Sequence, residues 1–270
     1  MKTGAEQSAE QPDWAYAEAP RRRRVWPWVV AFGIVVVLAV VAWFAAEAIA
    51  RDLVTRTIRD EVSKRLSLSA SHEVDVQVGG VVIPQLIGGS LDEVTVSSED
   101  VPVGSFMGDV TVTAQDVPIR GGADMGGATA TVALDEEQLR AMLSAVDGFP
   151  AETVGLDEPD VTMSTELQLF GVSVPVGVLL TPSADDGDVV FTPSGFQVAG
   201  AEIDAERLAA QFGVLADIVL RDWTVCLAQH IPAGVTITDV RVEGDALVAD
   251  ADVDGAIVTD PTLQATGTCE

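Results

Sequence analysis

The sequence predicts an α+β protein: one transmembrane helix, then an exported and predominantly antiparallel β-domain with helices inserted. Three observations carry that reading. Residues 25–46, VWPWVVAFGIVVVLAVVAWFAA, form a run of 22 residues without a charge. From Val74 onward, apolar and polar residues alternate with a period of two, the signature of half-buried strands. Two segments, 132–146 and 201–215, interrupt the alternation with apolar residues at helical spacing.

Residues 1–24 are polar and mixed in charge, the composition of a disordered tail. As a helix the apolar run of 25–46 would reach roughly 33 Å, enough to cross a hydrocarbon core. Trp26 and Trp28 would mark one interface and Trp43 the other. Arg21, Arg22, Arg23 and Arg24 precede the run, and the positive-inside preference puts that end in the cytoplasm. The expectation is a single pass through the plasma membrane, with residues 47–270 as an extracytoplasmic domain. A signal peptide cut after Ala50 is the alternative, against which the run exceeds the usual h-region of about 7–15 residues.

Residues 47–66 read EAIARDLVTRTIRDEVSKRL, with Ile49, Leu53, Val54, Ile58, Val62 and Leu66 at helical spacing. The expectation is an amphipathic helix that continues from the span and docks on the domain. Strands follow around 74–78, 94–103, 110–119, 128–134, 161–170, 172–180, 189–191, 235–242 and 246–254. Two of them carry nearly the same phrase, VTVSSEDVPV at 94–103 and VTVTAQDVPI at 110–119. They are expected to be neighbours in one sheet, each ended by its acid-Val-Pro step. Asp135 and Asp204 are the expected N-caps of the two helices, and Gln138 would complete a capping box with Asp135. The helical stripes are Leu139, Met142, Leu143 and Val146, then Leu208, Phe212, Leu215 and Ile218.

The net charge is −27, and residues 51–270 hold ten basic against 37 acidic side chains. Such a field repels a phosphodiester backbone, so nucleic acid is not an expected partner. The chain has two histidines, His72 and His230, far apart and without clustered partners. No catalytic elbow, zinc helix, phosphate loop or dinucleotide fingerprint is present. No catalytic residue, metal ligand or cofactor is therefore expected. Asp250-Ala251-Asp252-Val253-Asp254-Gly255 matches the start of a calcium loop, but Pro261 stands where the bidentate Glu belongs. An acidic outer face of a strand is the preferred reading of that stretch. Cys226 and Cys269 lie on the exported side, where a disulfide is favoured over two buried thiols.

Three stretches carry a family resemblance: GGVVIPQLIGGSLDEVTVSSEDVPV (79–103), LDEEQLRAML (134–143) and CLAQHIPAGVTITDVRVEGDALVADADVDG (226–255). Together with the anchor and amphipathic helix, they resemble the LmeA-like phospholipid-binding proteins of the actinobacterial cell envelope. The resemblance implies a tubular lipid-binding-like fold, in which a strongly curved antiparallel sheet wraps long helices and leaves an apolar groove. It also implies phospholipid as the partner, bound without catalysis. Each buried methylene contributes about 0.8 kcal/mol, so acyl chains leave a bilayer only for a long apolar surface. Leu139, Met142, Leu143, Leu208, Phe212 and Leu215 are the expected wall residues. The alternative is an envelope scaffold or accessory interaction module with a filled core and no lipid.

Overall fold

The computed structural model describes residues 26–65, 72–103, 106–144, 151–169, 172–198, 201–204, 222–229 and 231–269. The chain forms two compact units, residues 1–45 and 46–270. Helix α1, Trp26–Arg65, runs through both as 40 continuous helical residues. In the first unit every side chain from Trp26 to Ala45 is exposed. This helix is long and apolar enough to cross a membrane, with a mean hydropathy of 2.8 over its most apolar window. The tail of residues 1–24, Leu66, His230, and the helical stripe with Leu208, Phe212 and Leu215 lie outside the described residues.

The second unit is α+β and contains two sheets, each of six strands and antiparallel throughout. The first sheet holds β1 (Val74–Val78), β2 (Ser90–Val103), β3 (Phe106–Pro118), β4 (Gly127–Asp135), β11 (Val235–Glu243) and β12 (Ala246–Val253). Its order is β1-β2-β3-β4-β12-β11. The second holds β5 (Val154–Asp157), β6 (Asp160–Leu169), β7 (Val172–Asp185), β8 (Asp188–Val198), β9 (Ala201–Asp204) and β10 (Trp223–Val225). Its order is β10-β8-β7-β6-β5, with β9 also paired to β8. The sequence reading expected one sheet. The chain instead leaves the first sheet after β4 through helix α3 (Glu136–Ser144), builds the second from local hairpins, and returns with β11 and β12.

The two copies of the repeated phrase are neighbours, as expected, with Val96 opposite Val112 and Val94 opposite Ala114. The two acid-Val-Pro steps differ: β3 ends at Pro118 as expected, whereas in β2 pairing continues past Asp100 to Val103. Asp100 takes a φ of 51° inside an irregularity between Ser98 and Val101, and pairing resumes at Val101 with Gly108 and at Pro102 with Met107. Asp116, at a φ of 47°, repeats the conformation. Aspartate tolerates this left-handed region better than most residues, and a bulge bends a strand without ending it. The N-terminus of α3 forms the expected capping box: the Gln138 backbone N–H donates to Asp135 Oδ1 at 2.7 Å, and the Asp135 N–H to Gln138 Oε1 at 3.1 Å.

Two apolar clusters organise this unit. In one, Ala50, Val54, Ile58 and Val62 of α1 cover Val74, Val76 and Val78 of β1, Val94 and Val96 of β2, and Val82 and Leu86 of a short helix α2 (Val82–Gly88). Ile49 and Leu53, expected in the same docking stripe, are 70% and 65% exposed. At about 100° per residue their mean direction lies about 120° around α1 from that of Ala50, Val54 and Ile58, on the flank of the docked stripe. The other cluster joins Leu134, Leu139, Val240, Val242 and Leu247 to Val154, Val161 and Val189, so it draws on both sheets and α3. Cys226 and Cys269 are bonded, and the tail is zipped to residues 231–234 by Ala233 N–H to Ala265 O at 2.8 Å and Gly234 N–H to Leu263 O at 3.0 Å.

Candidate functional site

Strand register in the first sheet produces an unusual surface. Residues directly opposite each other in antiparallel strands share a face. One full row runs Val76–Val96–Val112–Ala130–Ala251–Ile237. A second runs Val78–Val94–Ala114–Ala128–Val253–Val235, and a third Val74–Ser98–Val110–Val132–Ala249–Val240. All but Ser98 are valine, isoleucine or alanine. The rows that alternate with them on the opposite face are polar, Gln77–Thr95–Thr113–Thr129–Asp252–Thr236 and Asp75–Ser97–Thr111–Thr131–Asp250–Asp239, and apolar residues reach that face only farther along, at Ala133 and Val248. Six strands at about 4.8 Å spacing make each apolar row roughly 24 Å long.

The two ends of this face are covered differently from its centre. At the β1 end Val76 is buried under α1, and at the β11 end Ile237 is buried in the cluster shared with the second sheet. Between them Val112, Ala130 and Ala251 are half-buried and, among the described residues, join neither cluster. Alanine at both Ala130 and Ala251 keeps the central floor low, since each side chain is a single methyl group.

A cleft of about 850 Å³ borders the third row, lined by Val74, Ser98 and Val110 together with Arg59, His72, Asp75, Glu99, Asp100 and Asp109. Its lining is mostly polar and acidic, which suits water or a polar group and not an acyl chain. Apart from Ser98, whose hydroxyl donates to Glu73 O at 2.8 Å, the three rows present only alkyl side chains.

Next to the β1 edge, α2 is held by a set of polar contacts. Glu47 accepts from the backbone N–H of Val82 at 2.6 Å and of Ile83 at 3.0 Å. These two backbone hydrogen bonds, with Arg51 nearby, hold its carboxyl below the usual carboxylate range. Arg51 donates to the carbonyls of Val78 and Gly80. The buried Gln85 donates through Nε2 to Gly79 O at 2.9 Å and accepts from the Asp92 N–H at 3.1 Å. Gly89 closes the helix in the left-handed conformation at a φ of 94°, its N–H on Gln85 O. The Pro84-Gln85-Leu86 turn is thus a latch between α1 and the sheet. Gln85→Ala strands two backbone groups and is expected to cost about 1–3 kcal/mol in chemical denaturation, with faster exchange of the Asp92 amide. An unchanged midpoint and amide would show that the latch is dispensable.

Leu139 is 2% exposed at the centre of the larger cluster, with Met142 and Leu143 half-buried against it. Leu139 is thus packed into the cluster that draws on both sheets. Asp250 accepts from Thr131 Oγ1 at 2.7 Å and from Arg241 at 2.5 Å, and these bonds, Thr131 first, hold its carboxyl below the usual range. Asp239 and Glu243 also accept from Arg241, at 2.8 and 3.1 Å. The calcium-like stretch is thus the outer face of β12, with Asp254 capping the next turn through the Ala256 N–H at 2.8 Å. Gly255 has its own reason: a Cβ there would stand 1.9 Å from Met125 O. Among the described residues no three His, Cys, Asp or Glu side chains converge as a metal site.

The sequence model of the family described as LmeA-like phospholipid-binding matches residues 41–252, most of the chain. No curated protein and no solved structure matches.

Proposed function

Because the chain belongs to the LmeA-like phospholipid-binding family, we propose that residues 46–270 hold a phospholipid whose acyl chains lie on the apolar face of the first sheet. The observation that carries this reading is the three-row apolar face with its half-buried centre at Val112, Ala130 and Ala251. In the finer form of the proposal the sheet curves around the chains. Met142 and Leu143 then contribute wall, together with Leu208, Phe212 and Leu215 from the stripe that follows β9. The protein acts by binding and presenting lipid, without catalysis.

The apolar part of α1 anchors it in the plasma membrane, N-terminus in the cytoplasm and domain in the cell envelope. Its uncharged 22-residue run and the four preceding arginines support that orientation. An anchored domain presents lipid locally; a shuttling one would need the anchor removed.

The test is native mass spectrometry of residues 46–270, secreted with the disulfide formed. A mass increment equal to phospholipid, exchangeable with added vesicles, is the expected result. Protein that remains ligand-free after incubation with vesicles would refute lipid binding and leave an envelope interaction module.

A further inference from the structure

We infer that the α2 turn is a second membrane contact, with Val81 and Ile87 dipping into the lipid interface. The partner is a phospholipid surface. This rests on the anchoring proposed above and adds where the domain touches the bilayer.

The exposed apolar side chains of the second unit are not scattered. Among its described residues the three most exposed large ones are Ile87 at 79%, Ile49 at 70% and Leu53 at 65%. The next, Val81 and Val258, stand at 48%. Four of these five belong to the start of the unit or to the segment latched onto it. Ile87 is held in a defined turn, since the Gly89 N–H bonds back to Gln85 O at 2.8 Å and Gln85 is itself buried. Its exposure is built into the fold and is not the fraying of a loose end.

Chain length sets the height of this segment. Glu47 holds the first two amides of α2, and it is the fourth residue after Trp43. Four residues span about 6 Å as helix and at most about 14 Å extended. The headgroup layer beyond each hydrocarbon boundary is roughly 5–8 Å deep. A helix latched to Glu47 therefore lies at the level of that layer or just above it.

Charge supports the same placement. Residues 79–91, GGVVIPQLIGGSL, carry no charge, in a region where residues 51–270 hold 37 acidic side chains. Carboxylates at a lipid surface face desolvation and the repulsion of anionic headgroups. An acidic domain that meets a bilayer needs one uncharged side, and this segment supplies it. The inner side of α2, Val82 and Leu86, packs on the edge where the row from Val78 and Val94 begins. The contact thus brings one edge of the proposed lipid face to the membrane.

The experiment uses the full chain, in which Cys226 and Cys269 are paired, so a new cysteine is the single free thiol. Ile87→Cys, Leu38→Cys in the apolar run and Asp245→Cys in the exposed β11–β12 turn are each labelled with an environment-sensitive fluorophore. Each protein is reconstituted into phosphatidylcholine–phosphatidylglycerol vesicles with and without nitroxide lipid. The expected result is about twofold or stronger quenching at positions 38 and 87, and little at 245. Quenching at 38 with position 87 behaving like 245 would overturn the inference and leave the anchor standing. An unquenched position 38 would overturn the anchor and the inference together, without bearing on lipid binding measured by mass.

Discussion

Ala130→Phe is expected to lower phospholipid occupancy roughly thirtyfold while the domain stays folded. Ala130 stands at the centre of the row Val76–Val96–Val112–Ala130–Ala251–Ile237 and is half-buried. A phenyl ring there would occupy the space of two or three methylenes of a chain lying on the sheet. At about 0.8 kcal/mol each, their displacement costs about 2 kcal/mol, which is that thirtyfold. If the ring crowds its neighbours the fold loses about 1–3 kcal/mol, which a melting curve reads separately. Thr129→Phe places the same ring on the polar face one residue away and is expected to leave occupancy unchanged. Native mass spectrometry of the three proteins against a titration of phospholipid decides the matter. Full occupancy in Ala130→Phe would move the acyl chains off this face.

The second large effect concerns the disulfide. Cys226 and Cys269 close a loop across 43 positions of sequence separation. In the chain-entropy description this constrains the unfolded chain by about 4 kcal/mol. Cys269→Ser, or reduction, is expected to lower the melting temperature by roughly 10 °C for a unit of this size. The enclosed residues include β11 and β12, which supply one end of the apolar face, so lipid occupancy should fall with stability as temperature rises. Intact tail hydrogen bonds, such as Ala233 to Ala265, would keep the native fold at low temperature. An unchanged melting temperature would mean that these bonds, and not the covalent link, hold the tail.

Much of this architecture was legible in residue order. The uncharged run announced α1, and the Asp135–Gln138 spacing announced the capping box of α3. The repeat at 94–103 and 110–119 announced neighbouring strands. What misled was chemistry judged out of context. The first Asp-Val-Pro looked like a stop, as the second is at Pro118, but Asp100 supplied the left-handed conformation of a bulge and pairing went on past it. Ile49 and Leu53 looked like docking residues because hydrophobicity alone does not say which side of a helix meets the domain. Gln85 went unremarked as a latch because its two partners, Gly79 O and the Asp92 N–H, become neighbours only when the chain folds around it.

The residue order by itself determined each strand's two faces, the apolar span and the acidic exterior. All follow from local spacing and from side-chain transfer between water and apolar surroundings. Tertiary structure alone decided which strands meet. The pairing of β12 with β4 joins residues more than a hundred positions apart and aligns Ala130 with Ala251. A period of two says which residues share a side of one strand. It carries no information on which distant strand lies alongside, because that choice depends on burial and hydrogen bonding across the whole sheet. The continuous apolar floor from Val76 to Ile237 is a product of that choice.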